Sequence, residues 1–321
     1  MKKIAVLTSG GDAPGMNAVI RAVARAGIFS GMEVYGILHG YEGLIDNEIF
    51  QLKWSDLGNI MHTGGTMLGS ARSERFFEDK WIDKAADNLL KLGINSLVVI
   101  GGDGTFRGST QLSKRGISIV CVPATIDNDL GYTDYTIGFD TAVNTVLSII
   151  SHIRDTSSAH SRTTIVEVMG RDCGDLALFS GLGGGADLLL VPEIPVDIQQ
   201  IIERVREGQV SGKLHNIIVK SEGVDIPTDE LEELIEGVTG QETRSVVLSY
   251  IQRGGSPSGR DRTLASLMGA KAVKLLEGNE EIISVAIGIR GEDIISMPLE
   301  TAIQTKPVFD KNLYELALVL S

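Results

Sequence analysis

Two carboxylates that could serve proton transfer and metal binding follow an apolar run of the sequence. Residues 117–122 are apolar or small and predict a buried strand, and Asp127 and Asp129 come shortly after it. Thr125 adds a hydroxyl two residues before the first carboxylate. Pro123 has no N–H for a central ladder, so we expect the chain to turn there. The alternative is that the aspartates only cap a following helix, and this stretch alone favours neither interpretation.

A second predicted strand, at 98–100, leads into Gly101-Gly102-Asp103-Gly104-Thr105. Phosphoryl transfer needs a carboxylate for the metal, a base for the attacking hydroxyl and cations around the phosphates. Asp103 suits the metal and Asp127 suits the base. Guanidinium groups bind phosphates bidentately, and the candidates are Arg72, Arg162, Arg171, Arg244 and Arg253. A single arginine is as a rule a solvated surface residue, but Arg171 and Arg253 each adjoin a glycine turn.

The elements that must position these residues alternate along the chain. Apolar runs predict strands at 4–7, 32–37, 98–100, 117–122, 164–168, 188–191, 217–219 and 283–288, and helical spacing predicts helices over 20–28, 81–92 and 139–153. Alternation is typical of mainly parallel sheets, and open α/β sheets bind ligands beyond the carboxyl ends of their strands. We therefore predict two Rossmann-like, three-layer α/β/α domains with the active site in the cleft between them.

Composition excludes several classes of protein. The chain has 321 residues and a net charge of −13, so its surface as a whole repels nucleic acid and anionic membranes. No apolar run is long enough to predict a membrane span. Two cysteines without a signal peptide indicate a reducing, cytoplasmic location.

The common nucleotide motifs are absent or misplaced. The sequence has no Walker A motif, no protein-kinase motifs and no zinc-ligand spacing. Residues 181–186 match a dinucleotide fingerprint, but they precede a predicted strand instead of following one. An NAD(H)-dependent enzyme is therefore a minor alternative.

Five motifs in order resemble the bacterial ATP-dependent 6-phosphofructokinase family; they lie at 7–17, 101–104, 125–129, 169–171 and 252–257. The resemblance implies phosphorylation of fructose 6-phosphate at its 1-hydroxyl with MgATP, the committing step of glycolysis. It also implies an ATP-binding domain of residues 1–138 plus about 252–305 and a sugar-phosphate domain of 139–251 plus about 306–321.

The resemblance assigns roles to individual residues. Catalytic residues are Asp127, Thr125, Asp129, Arg171 and Arg72. ATP contacts are Gly11, Arg72, Ser73, Gly102, Asp103, Gly104 and Thr105, with Asp103 near Mg²⁺. Fructose 6-phosphate contacts are Thr125, Asp127, Arg162, Met169, Gly170, Arg171, Glu222, Arg244, Tyr250 and Arg253. Arg162 and Arg244 would come from a neighbouring subunit of a homotetramer. A second anion site for ADP or GDP and phosphoenolpyruvate would use Arg21, Arg25, Arg154, Gly185, Asp187, Lys213 and His215.

Some positions depart from the family pattern. Tyr250 replaces the usual histidine, Ala124 replaces a common glycine, and residues 73–77 differ on the nucleotide side. Three positions carry basic residues in well-regulated members of the family, and here they are occupied by Trp54, Ser211 and Leu214. We therefore expect effectors to bind weakly.

Two rival interpretations stay within this fold. A pyrophosphate-dependent relative would carry Asp and Lys where Gly104 and Ala124 stand. A catalytically silent regulator would lack Asp127, Asp103 or Arg171, and all three are present. The residues favour ATP and an active enzyme.

Overall fold

The chain builds two β-sheets, one in each of two units. The structure, a computed structural model, describes residues 1–213, 215–277 and 281–321. The first unit comprises Met1–Thr141 and Arg253–Pro307, and the second comprises Ala142–Gln252 and Val308–Ser321.

Strands and helices alternate through most of the described residues. The strands are β1 (Lys3–Thr8), β2 (Glu33–Ile37), β3 (Ile49–Gln51), β4 (Ser96–Gly101), β5 (Ser118–Thr125), β6 (Ile137–Gly138), β7 (Thr163–Val168), β8 (Leu188–Leu190), β9 (Asn216–Ser221), β10 (Thr243–Val247), β11 (Ser284–Arg290) and β12 (Asp293–Pro298). The α-helices are α1 (Met16–Phe29), α2 (Gly40–Asp46), α3 (Asp79–Lys91), α4 (Asp103–Ser113), α5 (Phe139–His160), α6 (Asp175–Gly184), α7 (Ile198–Val210), α8 (Thr228–Thr239), α9 (Gly259–Glu277), α10 (Leu299–Gln304) and α11 (Lys311–Val319).

The sheet of the first unit runs β12-β11-β5-β4-β1-β2-β3, with β6 beside β5. Its pairs are parallel except β2–β3 and β11–β12. Successive side chains of a strand point to opposite faces. Leu7 and Val99 pack with α2, α3, α4 and α10 on one face. On the other face, Ile4 and Val34 lie against Gly27 of α1, and α1 packs on α9. Helices therefore cover both faces of this sheet.

The sheet of the second unit is parallel throughout, in the order β10-β7-β9-β8. Ile165 and Ile218 form a core with α7 and α8. Leu189 points the other way, because it lies against Gly181 of α6. This unit is also a layered α/β structure, so the predicted fold class is confirmed.

Proline does not end β5, so the expectation that the chain turns at Pro123 is wrong. β5 continues to Thr125, with Pro123 opposite Gly101 of β4. The β11 ladder ends at Cys121, and the β6 ladder begins at Ala124. Pro123 falls between the two, where a missing N–H costs no bond to either strand.

The remaining predicted elements lie close to those observed. The strands β3, β6, β10 and β12 were not predicted. No α-helix of the described ranges has both the length and the apolar character needed to span a bilayer.

Candidate active site

Three loops of the first unit meet at one edge of its sheet. β1 pairs in parallel with β4, and β4 pairs in parallel with β5, so the residues that follow these strands are neighbours. The N–H of Ser9 donates to the Ile100 carbonyl (3.1 Å). The edge therefore gathers the loops that carry Gly11, Asp103 and Asp127, as expected for a ligand site of an open α/β sheet.

The Asp127 loop is fixed by hydrogen bonds around it. Asp127 is 2% exposed, and its N–H donates to Thr125 Oγ1 (3.2 Å). Asn128 is left-handed, with φ 53°, and its Oδ1 accepts from the Thr136 N–H (3.0 Å). The Thr136 hydroxyl donates to the Thr125 carbonyl (2.7 Å). The alternative of helix-capping aspartates is wrong, because the next helix begins only at Phe139.

Asp103 is the first residue of α4, and Gly102 caps that helix. Arg107 Nε donates to Asp103 Oδ2 (2.7 Å), and this bond raises the pKa of Arg107. A side chain at Gly104 would meet no atom within 4 Å. Thr105 turns inward, because its hydroxyl donates to the Ser9 carbonyl (2.9 Å). Its Oγ1 thus joins the β1 and β4 loops.

Residues distant in the sequence pack against the Gly11 loop. Ser70 Oγ donates to the Gly10 carbonyl (2.6 Å), and Arg253 Nη1 donates to the Asp12 carbonyl (3.2 Å). A Cβ at Gly11 would collide with the Arg253 guanidinium, so a larger residue there would displace the arginine. Arg253, which the resemblance assigns to the sugar phosphate, contacts this loop within the first unit.

The segment 72–77 is anchored by residues that the sequence did not single out. Arg72 is exposed, and Ser73 Oγ accepts from the Phe76 N–H (3.2 Å). Phe76 stacks on Tyr41 with ring centroids 4.1 Å apart, and the Tyr41 hydroxyl donates to the Thr105 carbonyl (2.5 Å). Burial raises the pKa of Tyr41 strongly. Arg75 pairs with Glu42 and Asp46 of α2.

The carboxyl edge of the second sheet carries a second group of predicted residues. Met169, Gly170 and Arg171 follow β7, and Glu222 follows β9. Glu222 Oε1 accepts from the N–H groups of Gly170 (3.2 Å) and Arg171 (3.0 Å). Arg171 is left-handed, with φ 52°. Gln252, which the sequence did not single out, is buried and accepts from the Met169 N–H (3.2 Å). Tyr250 follows β10 and is 76% exposed.

Arg162 and Arg244 lie at the opposite, amino edge of that sheet. Arg162 directly precedes β7, and Arg244 is the second residue of the neighbouring parallel strand β10. β7 has six residues, so about 20 Å separates its two ends. Within one chain, neither arginine therefore joins Arg171 in one site.

The predicted effector residues form two groups, one in each unit. In the first, Arg21 and Arg25 share α1, and the Arg25 guanidinium lies 4.6 Å from the Trp54 ring centroid. Burial and the charge of Arg25 lower the pKa of Arg21.

The second group surrounds the C-terminal end of α6. Asp187 is buried, pairs with Lys213 and accepts from the Ile217 N–H (2.6 Å). Arg154 donates to the Gly185 carbonyl (2.9 Å), and His215 Nδ1 lies 2.8 Å from Ser158 Oγ. Burial lowers the pKa of His215, and the charges of Arg154 and Lys213 lower it further, against Asp187. Leu214 lies outside the described residues.

The dinucleotide-like run at 181–186 is not a strand-to-helix loop. Residues 181–184 are the last turn of α6, and Gly185 ends the helix with φ 61°. The NAD(H) alternative therefore loses the loop on which it rested. Among the residues that the structure describes, no three His, Cys, Asp or Glu side chains are grouped so as to hold a metal ion.

Comparisons with known proteins agree along nearly the whole chain. Residues 3–276 match the family described as Phosphofructokinase. The ATP-dependent 6-phosphofructokinase of Alkaliphilus metalliredigens is 53% identical over 321 residues, 100% of each chain. The ATP-dependent 6-phosphofructokinase 1 of Clostridium perfringens is 53% identical over 318 residues, 99% of this chain and 98% of that one.

Solved structures show the same fold. Phosphofructokinase from Saccharomyces cerevisiae superposes with a TM-score of 0.93 at 34% identity. The match covers 99% of this chain, which spans only half (50%) of the yeast chain. A pyrophosphate-dependent phosphofructokinase from Marinobacter aquaeolei, 22% identical, gives 0.86 over 97% of this chain and 86% of that one, which indicates a common fold.

Proposed function

Because the chain belongs to the phosphofructokinase family, we propose that it transfers the terminal phosphoryl group of ATP to the 1-hydroxyl of fructose 6-phosphate. The products are fructose 1,6-bisphosphate and ADP, and the reaction is the committing step of glycolysis. The observation that carries the proposal is the buried Asp127 carboxylate beside the Asp103 loop at one sheet edge.

Asp127 is the general base. It accepts the proton of the 1-hydroxyl as that oxygen bonds to the terminal phosphorus and the bond to the leaving ADP oxygen breaks. The hydrogen bonds from Thr136 to the Thr125–Asn128 turn hold the base in place. Thr125 and Asp129 flank it, and Arg72 and Arg171 offset negative charge at the transferred group.

The nucleotide binds across the loops after β1 and β4. Glycines at 11, 102 and 104 keep side chains away from the phosphates, and the start of α4 offers backbone N–H groups to an anion. Ser73 and Thr105 are the remaining residues of the nucleotide site. The Thr105 hydroxyl joins the two loops through its hydrogen bond to the Ser9 carbonyl.

Asp103 fits Mg²⁺, because its carboxylate is a hard oxygen ligand and is 36% exposed. Mg²⁺ is usually held by one or two carboxylates together with substrate phosphates. When bound, the ion neutralises charge on the transferred phosphoryl group. Arg107 already holds Oδ2 of the same carboxylate.

The absence of a side chain at Gly104 favours ATP as donor. The pyrophosphate-dependent branch resembled by this chain carries a bulkier acidic residue there. Gly104 leaves room for a nucleotide to approach the start of α4.

Fructose 6-phosphate contacts Met169, Gly170, Arg171, Glu222, Tyr250 and Arg253 of one chain and Arg162 and Arg244 of a neighbouring copy. The separation of the two edges of the second sheet supports this division, because one chain cannot bring both groups together. The assembly is a homotetramer by resemblance, with sites shared between copies.

A second anion site for ADP or GDP and phosphoenolpyruvate uses the effector residues that the resemblance assigns. Asp187 and Lys213 neutralise one another, and Arg25 lies over Trp54. Trp54, Ser211 and Leu214 stand at positions that are basic in the family's well-regulated members, so both effectors bind weakly, at concentrations at least ~10-fold above those of a family member with the full basic set.

A coupled assay tests the proposed reaction. Fructose 6-phosphate is offered with MgATP, with other nucleoside triphosphates and with pyrophosphate in turn. We expect turnover with ATP and none with pyrophosphate; rapid product formation from pyrophosphate would refute the assignment of the donor.

A further inference from the structure

The two arginines at the amino edge of the second sheet are bound by glutamates of their own chain. Glu242 Oε1 lies 3.1 Å from Arg244 Nη2 and 3.8 Å from Arg162 Nη2. Glu236 Oε2 and Glu232 Oε1 lie 3.3 and 3.8 Å from Arg244 Nη1. One carboxylate oxygen of Glu242 thus bridges both guanidinium groups. We call these five side chains the arginine–glutamate network.

Regular structure fixes the network. The Glu242 carbonyl accepts from the Thr163 N–H (3.0 Å) at the start of β7. Gln241, next in the chain, accepts from the Thr163 hydroxyl (3.1 Å) and from Asn216 Nδ2 (3.3 Å). Glu236 Oε2 accepts from the Thr243 N–H (3.0 Å). Hydrogen bonds to the ends of β7 and β9 therefore fix the backbone that carries the Glu242 carboxylate.

The charges of the network oppose an incoming phosphate. Two guanidinium groups supply two positive charges, and three carboxylates supply three negative charges. A sugar phosphate that approaches the arginines therefore meets a net negative group. Its oxygens would also have to take the place of the Glu242 carboxylate beside the Nη2 groups of both arginines.

We propose that the Glu242 carboxylate competes with the phosphate of the substrate for Arg162 and Arg244. The phosphate binds only when it displaces Glu242 from both arginines. This inference rests on the proposed function, which assigns the phosphate of fructose 6-phosphate to Arg162 and Arg244. Glu242 acts through the arginines and is a positioning residue. Its role is to set the substrate concentration at which a neighbouring site fills.

Glu242→Gln tests the proposal, because it keeps the size of the side chain and removes its charge. Half-exposed ion pairs contribute little, up to about 1 kcal/mol, so we expect half-saturation by fructose 6-phosphate at about 2- to 6-fold lower concentration. The change should fall on KM more than on kcat, because the 6-phosphate is remote from the transferred group. Titration calorimetry with fructose 6-phosphate should show the same tightening without turnover.

Two further variants separate the bridge from general charge. Glu236→Gln, at a residue that pairs with Arg244 but not with Arg162, should lower half-saturation by less. Glu233→Gln removes an exposed charge of the same helix outside the network and should leave half-saturation unchanged. Glu236→Gln also keeps the test open if Glu242→Gln fails to fold, which thermal melting would reveal.

The outcomes distinguish the inference from its premise. Suppose that the wild type phosphorylates fructose 6-phosphate while Glu242→Gln has an equal or higher fructose 6-phosphate concentration at half-saturation. In that case Glu242 does not oppose substrate binding, and the proposal is wrong. If the wild type does not phosphorylate fructose 6-phosphate at all, the proposed function fails, and the inference fails with it.

Discussion

At the scale of the residue, the proposed reaction depends most on Asp127. Asp127→Ser removes the proton acceptor and leaves a hydroxyl in a turn that Thr136 still holds. We expect kcat to fall by ~10²–10⁴, with the affinity for fructose 6-phosphate within a few-fold of the wild type. Steady-state kinetics with MgATP and calorimetric titration of the sugar phosphate measure the two effects.

The matched control is Asp134→Ser, at a half-buried carboxylate that pairs with Arg290. Its kcat should stay within a few-fold of the wild type. Near-normal kcat for Asp127→Ser would remove Asp127 from the mechanism.

His215 predicts a pH dependence for the effector site. Burial lowers its pKa first, and the charges of Arg154 and Lys213 lower it further, so the free protein holds a neutral imidazole at pH 7. An anion bound nearby favours the protonated form. By linkage, phosphoenolpyruvate should bind more tightly as the pH falls below the ordinary value of 6.5.

The phosphate of the effector also gains a proton in this range, so the wild type alone is ambiguous. His215→Gln removes the imidazole and keeps a polar side chain. The ratio of wild-type to variant affinity, measured by inhibition between pH 7.5 and pH 5.5, should rise towards low pH. A ratio that stays constant would exclude His215 from the anion site.

At the scale of the element, Asp261 ties the first turn of α9 to the start of α5. The buried carboxylate accepts from the N–H groups of Gly138 (3.0 Å) and Thr141 (2.9 Å) and from the Thr141 hydroxyl. Burial raises the pKa of Asp261 against these hydrogen bonds. Asp261→Ala leaves the buried N–H groups of Gly138 and Thr141 without their acceptor. The free energy of unfolding should therefore fall by about 2–4 kcal/mol.

Urea unfolding followed by far-UV circular dichroism measures this loss. Asp155→Ala, at an exposed position of α5, is the control and should change the free energy of unfolding by less than about 0.5 kcal/mol. Equal losses in the two variants would show that the Asp261 hydrogen bonds contribute little.

The elements also show what the sequence could predict. Runs of β-branched residues such as 98–100 predict buried strands, because both faces of such a sheet are covered by helices. The path of β5 through Pro123 was not predictable, because it depends on where β11 and β6 pair along that strand. The strands β3 and β12 lie at the two edges of the first sheet, and their antiparallel pairing depends on tertiary structure.

The candidate site divides in the same way. Asp103, Asp127 and Arg171 follow predicted strands, so their position at a carboxyl edge was expected. Arg107, four residues after Asp103 on a helix, could have been found from spacing alone. Tyr41 and Glu242 could not, because tertiary packing brings them to Thr105 and Arg162 from far along the chain.

At the scale of the whole molecule, the amino-edge position of Arg162 and Arg244 predicts complementation between inactive variants. Asp127→Ser lacks the base, and the double variant Arg162→Gln/Arg244→Gln lacks the arginines lent to a neighbour. Each assembly alone should be nearly inactive. Mixed after dissociation and reassembly, the two chains form some sites with the base from one copy and the arginines from another. Random mixing at equal amounts makes such sites about a quarter of the total, because each intact part is present with a chance of one half. We therefore expect up to about a quarter of wild-type activity, measured by the coupled assay.

Mixtures without reassembly are the control and should stay inactive. Failure of the reassembled hybrids to recover activity, with hybrid formation verified by mass spectrometry, would show that each chain completes its own site.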